Sequence, residues 1–428
     1  MSWSRREFLR NTALVTASST LLSKVASARA LGGGTRRPRT LVQIHVGGGL
    51  DAILTTDPKV RREVDSRVDL PYEESAIEQL GRSRVGPLFH ALARHVPKMT
   101  IINGLVCSTV SHPTGFIQTH QMRRLFPRMS VGLTGTIGTI LRSEDQPISD
   151  VRFVPRPIGH ESPMAAGRSL VINYQATDPA QGMLHHLTEV ARDDVRREKI
   201  LEALEVQRKT CHERATCMSI DATEGLLRRL PRQPLRSPPS LAKPGASASA
   251  AYVIGMLAAV FRDVLFVLEN QLAPAVYVST DPMFDTHYWS NEYQAMSMEQ
   301  LAPVLLYFLD ELGRRTTPDG VGLAEQVGLV ISSELGRFPF LNKYEGKDHF
   351  PEHPAILIGP GLAAGQFGET DERMAATPIS LATGRPGARQ SGGVPTIDDL
   401  GATVMRWFGI EDTVSLGYVG RSLDFVFG

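Results

Sequence analysis

The sequence predicts an α/β fold: a mostly parallel central sheet with helices on both faces. Three observations carry that expectation. Several near-continuous apolar runs have strand length, strands and helices alternate through the last third, and polar clusters follow the runs directly. Open sheets of this kind gather their sites beyond the carboxyl ends of the strands, so those clusters are where chemistry is expected.

The chain opens on MSWSRREFLRNTALVTASSTLLSKVASARA. Arg5 and Arg6 precede Phe8-Leu9, a weakly apolar stretch follows, and Ala28-Arg29-Ala30 closes it. This order predicts a cleavable twin-arginine signal peptide over residues 1–30, with the twin-arginine export machinery as a partner. The destination is then the periplasm or the extracellular space. Thr, Ser and Lys24 interrupt the apolar stretch, so no stable membrane insertion is expected after cleavage. Residues 31–39 read as a flexible tether and 40–428 as a single α/β domain. Without the leader, 41 basic residues face 44 acidic ones, a net charge of −3 against +1 for the whole chain. Neither value is the footprint of a nucleic-acid binder.

TLVQIHV is the first strand, and GGGLDA after it is a loop that must pass close to something. The glycines either cradle a phosphate or clear space around Asp51. A dinucleotide fingerprint needs G-x-G-x-x-G opening a helix, and no third glycine stands in register. GPLFHALARHV (86–96) has helical spacing, and MTIINGLV (99–106) is a second strand. A helix is expected over 114–126, just after Pro113, and a strand over 169–175. Acids and bases at i,i+4 predict solvated helices from about 184 to 230. A Pro/Ser/Ala-rich linker follows to 250, so that 184–250 reads as a helical insertion. AAYVIGMLAAVFRDVLFVLEN (250–270) is apolar enough for a buried helix, and Arg262 and Asp263 argue against a membrane span. PAVYVST, QVGLVISS and PAILIGPG are then strands, and MEQLAPVLLYFLDELGRR and TIDDLGATVMRWFGI are helices.

Three cysteines are present. Cys211 and Cys217 can pair in an oxidising compartment, but a six-residue spacing on one helix does not put both on one face. Cys107 is expected to be buried.

The candidate site residues lie at the strand ends. The first strand runs into Asp51, PAVYVST into Asp285 and His287, and QVGLVISS into Glu334 and Arg337. GKDHFPEH then supplies Asp348, His349 and His353. Carboxylates with imidazoles form a mixed O/N ligand set that suits zinc, manganese or iron, with magnesium or calcium where oxygen dominates. In CSTVSHPTGFIQTHQ a hydroxyl falls at a helix N-terminus, where unpaired N–H groups favour an anion. Ser111, or Thr114 after it, is a candidate nucleophile toward a phosphoryl or sulfuryl centre; the simpler alternative is a helix cap. Arg337 could steady the anionic group with its planar fork, and Lys347 could do the same.

Taken together, GGGLD, SHPTGFIQ, FDTH, SELGR, GKDHF with PAILIGPGL behind it, and PTIDDLGATVMRWFGI resemble the exported domain-of-unknown-function-1501 family of the alkaline phosphatase and sulfatase superfamily. The likeness spans nearly the whole mature chain. It departs at Leu335, where the family carries phenylalanine, and at Leu50, where an asparagine-like residue is usual. The resemblance implies one or two divalent metal ions (zinc, manganese, magnesium or calcium) beside a Ser or Thr nucleophile. It implies a phosphate or sulfate ester, small or polymer-borne, as substrate. Asp51, Asp285, His287 and His349 would be ligands, with either Glu334 or Asp348 completing the set. No C-x-P-S-R sequence is present, so a formylglycine mechanism is not expected. A non-catalytic binding protein of the same fold and a metal-dependent phosphomutase or isomerase stay open as alternatives.

Overall fold

The computed structural model describes residues 37–124, 132–155, 169–174, 182–231, 235–386 and 392–428. The leader, most of the tether and residues 125–126 of the expected second-helix segment lie outside the described residues.

Eight strands form one sheet. In chain order they are β1 (Thr40–His45), β2 (Thr100–Val106), β3 (Asp150–Val154), β4 (Ser169–Asn173), β5 (Ala275–Ser279), β6 (Val327–Ser332), β7 (Glu352–Ile358) and β8 (Gly365–Phe367). Their spatial order is β8-β2-β7-β6-β1-β5-β3-β4. Seven run the same way, and β7 alone runs against both of its neighbours. The beginning of β7 therefore lies at the edge of the sheet where the other strands end.

β1 sits in the middle, and alternation along it sets the two layers. Val42, Ile44 and Val46 join one apolar core with Phe261, Leu265, Leu305 and Phe308. These come from the helices Ala248–Glu269 and Ser290–Arg314. Leu41 joins the opposite core with Leu133, Ile137, Leu400 and Val404, from Gly132–Leu141 and Ile397–Trp407. The polar residues of the strand, Gln43 and His45, are fully buried and held: the Gln43 amide donates to the Thr119 carbonyl at 2.7 Å.

The helix Ala248–Glu269 is long and apolar enough to cross a membrane by length and composition, yet 78% of its apolar window is buried in the fold. Arg262 and Asp263 are buried there as an ion pair at 2.7 Å.

Several local expectations change. Residues 86–96 form short 3-10 turns, Pro87–Leu92 and Val96–Lys98, because a proline at position 97 disfavours helix in the residue before it. The helix expected to open after Pro113 opens at His112 and stops at Gln121, where Met122 turns left-handed (φ 49°). β3 is a strand that the sequence does not signal, because Asp150 and Arg152, a buried ion pair, break its apolar pattern. Cys211 and Cys217 form a disulfide with their Cα atoms 5.7 Å apart. The expectation of one continuous helix fails there: Cys211 closes Asp194–Thr210 and Cys217 lies in the next helix, Arg214–Arg229. Cys107 is free and buried.

Candidate metal centre

Four strand ends and one strand beginning meet at a single edge of the sheet. β1 delivers Gly47–Gly49, β2 leads through Val110 to His112, β5 leads to Asp285 and His287, and β6 leads to Glu334 and Arg337. The two-residue pair Gly336–Arg337 with His349–Phe350 then feeds into the reversed strand β7, which brings in Asp348 and His349.

Three imidazoles converge on one carboxylate oxygen. Asp285 Oδ1 lies 3.3 Å from His112 Nε2, 3.3 Å from His287 Nε2 and 3.6 Å from His349 Nε2. His287 Nε2 and His349 Nε2 are 2.9 Å apart. Each ring is anchored through its other nitrogen. His112 Nδ1 meets Glu334 Oε1 at 2.7 Å, His287 Nδ1 meets Asp348 Oδ1 at 2.9 Å, and His349 Nδ1 meets the Val110 carbonyl at 2.6 Å. These partners only accept, so each Nδ1 carries a proton, and Nε2 is the atom each ring has left to face Asp285.

That donor set fits a divalent ion. Zinc–nitrogen bonds of about 2.0–2.1 Å put tetrahedral ligand atoms about 3.3 Å apart. Asp285 Oδ1 stands 3.3–3.6 Å from the three Nε2 atoms, and His112, Asp285 and His349 each offer a ligand atom within 4.8 Å of the others. Oxygen acceptors on the far nitrogens of ligating histidines are the usual outer support of such a site. His112 Nε2 is buried and has no hydrogen-bond partner. Burial opposes a charge on His112, but Asp285 and Glu334 outweigh it and lift its pKa to about 9. The carboxylates thus draw positive charge to this point. Burial alone would raise the Asp285 pKa, but His112 and Arg337 bring it down to about 2. His349 is pushed down chiefly by burial, which favours its neutral, ligating form.

The remaining expected residues take other places. Glu334 is fully buried and accepts from the Gly48 N–H (2.8 Å), His45 Nε2 (2.8 Å) and the Ser333 hydroxyl (3.1 Å) as well as from His112. Asp348 backs His287 and also accepts from the Asn342 amide at 3.2 Å. Both candidates for the last ligand therefore touch a histidine through its Nδ1. Asp51 stands outside the converging group. Its carboxylate takes the Lys347 ammonium at 2.8 Å and the Ile53 N–H at 3.0 Å, and Lys347 also reaches Asp69 at 3.2 Å. Lys347 is fully buried, so it is engaged beneath the site instead of facing an incoming anion. Arg337 is also buried. It donates to the carbonyls of Gly48 and Lys347 and to Asp285 Oδ1 at 3.0 Å, which fixes Asp285. Ser111 is the exposed N-cap residue of His112–Gln121, and its side chain makes no capping bond; Thr114 follows, half-buried, in the first turn. His353 lies buried in β7.

The glycines now have a cause. A Cβ on Gly48 (φ 107°) would fall 2.3 Å from the Asp285 backbone nitrogen, and one on Gly49 would fall 2.7 Å from Arg337 Nε. The loop is bare so that Asp285, Arg337 and Glu334 can close around it.

Sequence reasoning missed His112 and His45. The hydroxyls of SHPT drew attention to that helix start, yet the same position presents an imidazole. His45 is a polar residue in an apolar strand, and burial of that kind signals a partner: its Nδ1 lies 3.1 Å from the Tyr277 hydroxyl.

No protein-family profile and no curated protein matches the chain. Among solved structures it is similar to the lipoteichoic acid synthase LtaP from Listeria monocytogenes, at 10% identity and a TM-score of 0.38 over 95% of this chain and 82% of that one. It is similar to the C-terminal periplasmic domain of EcEptC from Escherichia coli, at 11% identity and a TM-score of 0.34 over 88% and 83%. It is also similar to alkaline phosphatase from the Antarctic bacterium TAB5, at 10% identity and a TM-score of 0.32 over 77% and 93%.

Proposed function

We propose that the chain is an exported, metal-dependent hydrolase of a phosphate or sulfate ester. The observation that supports this most is the convergence of His112, His287 and His349 on Asp285, with every Nδ1 already committed to an oxygen. The order of its motifs supports a place beside the domain-of-unknown-function-1501 proteins. The twin-arginine leader expected from the sequence and the Cys211–Cys217 disulfide support an oxidising, extracytoplasmic location.

Histidine nitrogens outnumber oxygens in the set, which favours a zinc-class ion over magnesium or calcium. When bound, such an ion polarises an ester oxygen and lowers the pKa of a nearby hydroxyl or water. The protein's own groups do the rest. Arg337 and Glu334 hold Asp285 and His112 in place. Ser111, one residue before a ligand, keeps its hydroxyl free of the helix cap and exposed to substrate, which makes it the proposed nucleophile. A second reading rests on the number of ligands: four protein ligands can close a tetrahedral site, and a closed site binds without catalysing.

Elemental analysis of the purified protein, with hydrolysis of an aryl phosphate and an aryl sulfate, separates these. About one ion per chain and turnover that is lost in Ser111→Ala, with the metal retained, supports the hydrolase. One ion per chain with neither ester cleaved leaves the binding protein. A metal-free protein overturns both.

A further inference from the structure

Beside the metal centre the surface carries an unusual concentration of exposed rings. Six aromatic side chains are exposed among the described residues, and five of them, Tyr288, Trp289, Tyr293, Phe338 and Tyr344, belong to the two segments that flank the centre. Large aromatic groups are normally buried, so a cluster left in water points to a ligand. Tyr288 and Tyr344 lie side by side with ring centroids 5.0 Å apart, and Trp289 stacks with Tyr293 at 6.4 Å and 27°.

The display is held by backbone. Trp289 (φ 41°) and Glu345 (φ 57°) both adopt the left-handed region, which is costly for residues with a Cβ. Trp289 N–H donates to the Tyr344 carbonyl at 3.2 Å and Ser290 N–H to that of Glu345 at 2.8 Å. The Asn342 amide donates to the His287 carbonyl at 3.1 Å. Two loops are thus clamped together in a strained form that turns Tyr288 and Tyr344 outward.

A groove of about 290 Å³ runs between these loops, lined by Tyr288, Tyr344, Asn342 and Lys343 together with His287 and Asp348. His287, one of the converging imidazoles, forms part of its wall, so the groove adjoins the metal centre. Lys343 Nζ stands 4.8 Å over the Tyr344 ring and puts a cation at the rim.

Resting on the hydrolase reading above, we infer that the groove is a saccharide platform and that the ester is carried on an anionic sugar chain. The C–H faces of a pyranose stack on the negative faces of aromatic rings, while its hydroxyls need neighbours such as Asn342. Lys343 meets the sulfate or phosphate of an adjacent unit. The contiguous rings suit successive units of a chain better than the single ring system of a nucleobase.

Affinity electrophoresis through gels containing dextran sulfate or neutral dextran tests this on the intact protein. The wild type is retarded by dextran sulfate. The double variant Tyr288→Ala/Tyr344→Ala loses at least tenfold in affinity with its metal content unchanged, and Lys343→Ala narrows the preference for the sulfated polymer. Equal retardation of wild type and double variant overturns the platform, as does no retardation of either. Tyrosine-dependent co-sedimentation with phosphatidylcholine/phosphatidylglycerol vesicles in place of polymer binding overturns it too. Polymer binding that survives in His349→Ala while metal is lost keeps the platform separate from the hydrolase reading, which fails only on metal content and ester cleavage.

Discussion

His287 Nε2 faces His349 Nε2 at 2.9 Å while the Nδ1 atoms of both rings are spent on oxygen acceptors. Two imidazoles so anchored present lone pairs to each other, and only a cation relieves that opposition. A proton would serve one pair. His112 Nε2 and Asp285 Oδ1 lie beside them, and His112, Asp285 and His349 each offer a ligand atom within 4.8 Å of the others, more than one proton can bridge.

Removing a ring therefore differs from removing its support. His349→Ala or His287→Ala deletes a ligand and should leave less than a tenth of an ion per chain by elemental analysis. Asp348→Asn keeps His287 but weakens the acceptor on its Nδ1, and affinity should fall by only about 10–100-fold in a competitive chelator titration. Equal losses in both variants would mean that Asp348 binds the ion itself.

The sequence made the strand ends legible because a polar cluster after an apolar run is a local signal. That signal marks Asp285, His287 and Glu334, while Asp348 and His349 stand in GKDHF ahead of the next apolar run; the five side chains are linked by contacts at one edge of the sheet. The reversal of β7 was not legible, since an apolar run reads alike in both directions; yet that reversal is what carries His349 to the right edge. Asp51 read as a ligand because it follows glycines at a strand end. Its partner Lys347 is 296 residues away, and no local pattern links the two. His112 is not legible in the sequence, since Ser111 before it and Thr114 two residues on match a nucleophile's position more plainly.

Glu334 is the hub behind the centre, with four donors on one fully buried carboxylate. Burial works against its charge, but the bonds from His112 and His45 hold its pKa below the usual carboxylate range. Glu334→Ala would strand all four donors at once. Loss of one partner from such a buried network costs about 3–5 kcal/mol, which a urea unfolding midpoint would register. Glu334→Gln should also destabilise, since its NH2 group turns a donor toward His45 or His112. A variant as stable as wild type would show that the network is not maintained in solution.

Gly48 and Gly320 both have positive φ, 107° and 79°, but they differ in space. A Cβ on Gly320 meets nothing within 4 Å, whereas one on Gly48 meets the Asp285 nitrogen at 2.3 Å. Gly320→Ala should therefore carry only the dihedral penalty, about 1–2 kcal/mol. Gly48→Ala adds a backbone clash and should displace Asp285, so metal should be lost along with more than about 3 kcal/mol of stability. Comparable melting temperatures for the two variants would contradict the clearance role of the GGGLD loop.

His353 gives the fold an acid limit away from the ligands. Burial in β7 pushes its pKa down to about 4 from an ordinary value of 6.5, so the folded state keeps the ring neutral. The unfolded chain binds the extra proton between those values. Stability from this residue is complete above pH 6.5 and falls away as the pH drops toward 4, by about 3 kcal/mol in all. A non-titrating replacement such as His353→Gln removes the difference in proton uptake. Its stability, though lower at pH 7, should change less steeply from pH 6.5 to 4 than that of the wild type when both are unfolded by urea across the range. Parallel profiles for the two proteins would mean that His353 titrates alike folded and unfolded, and that the acid limit comes from the paired carboxylates instead.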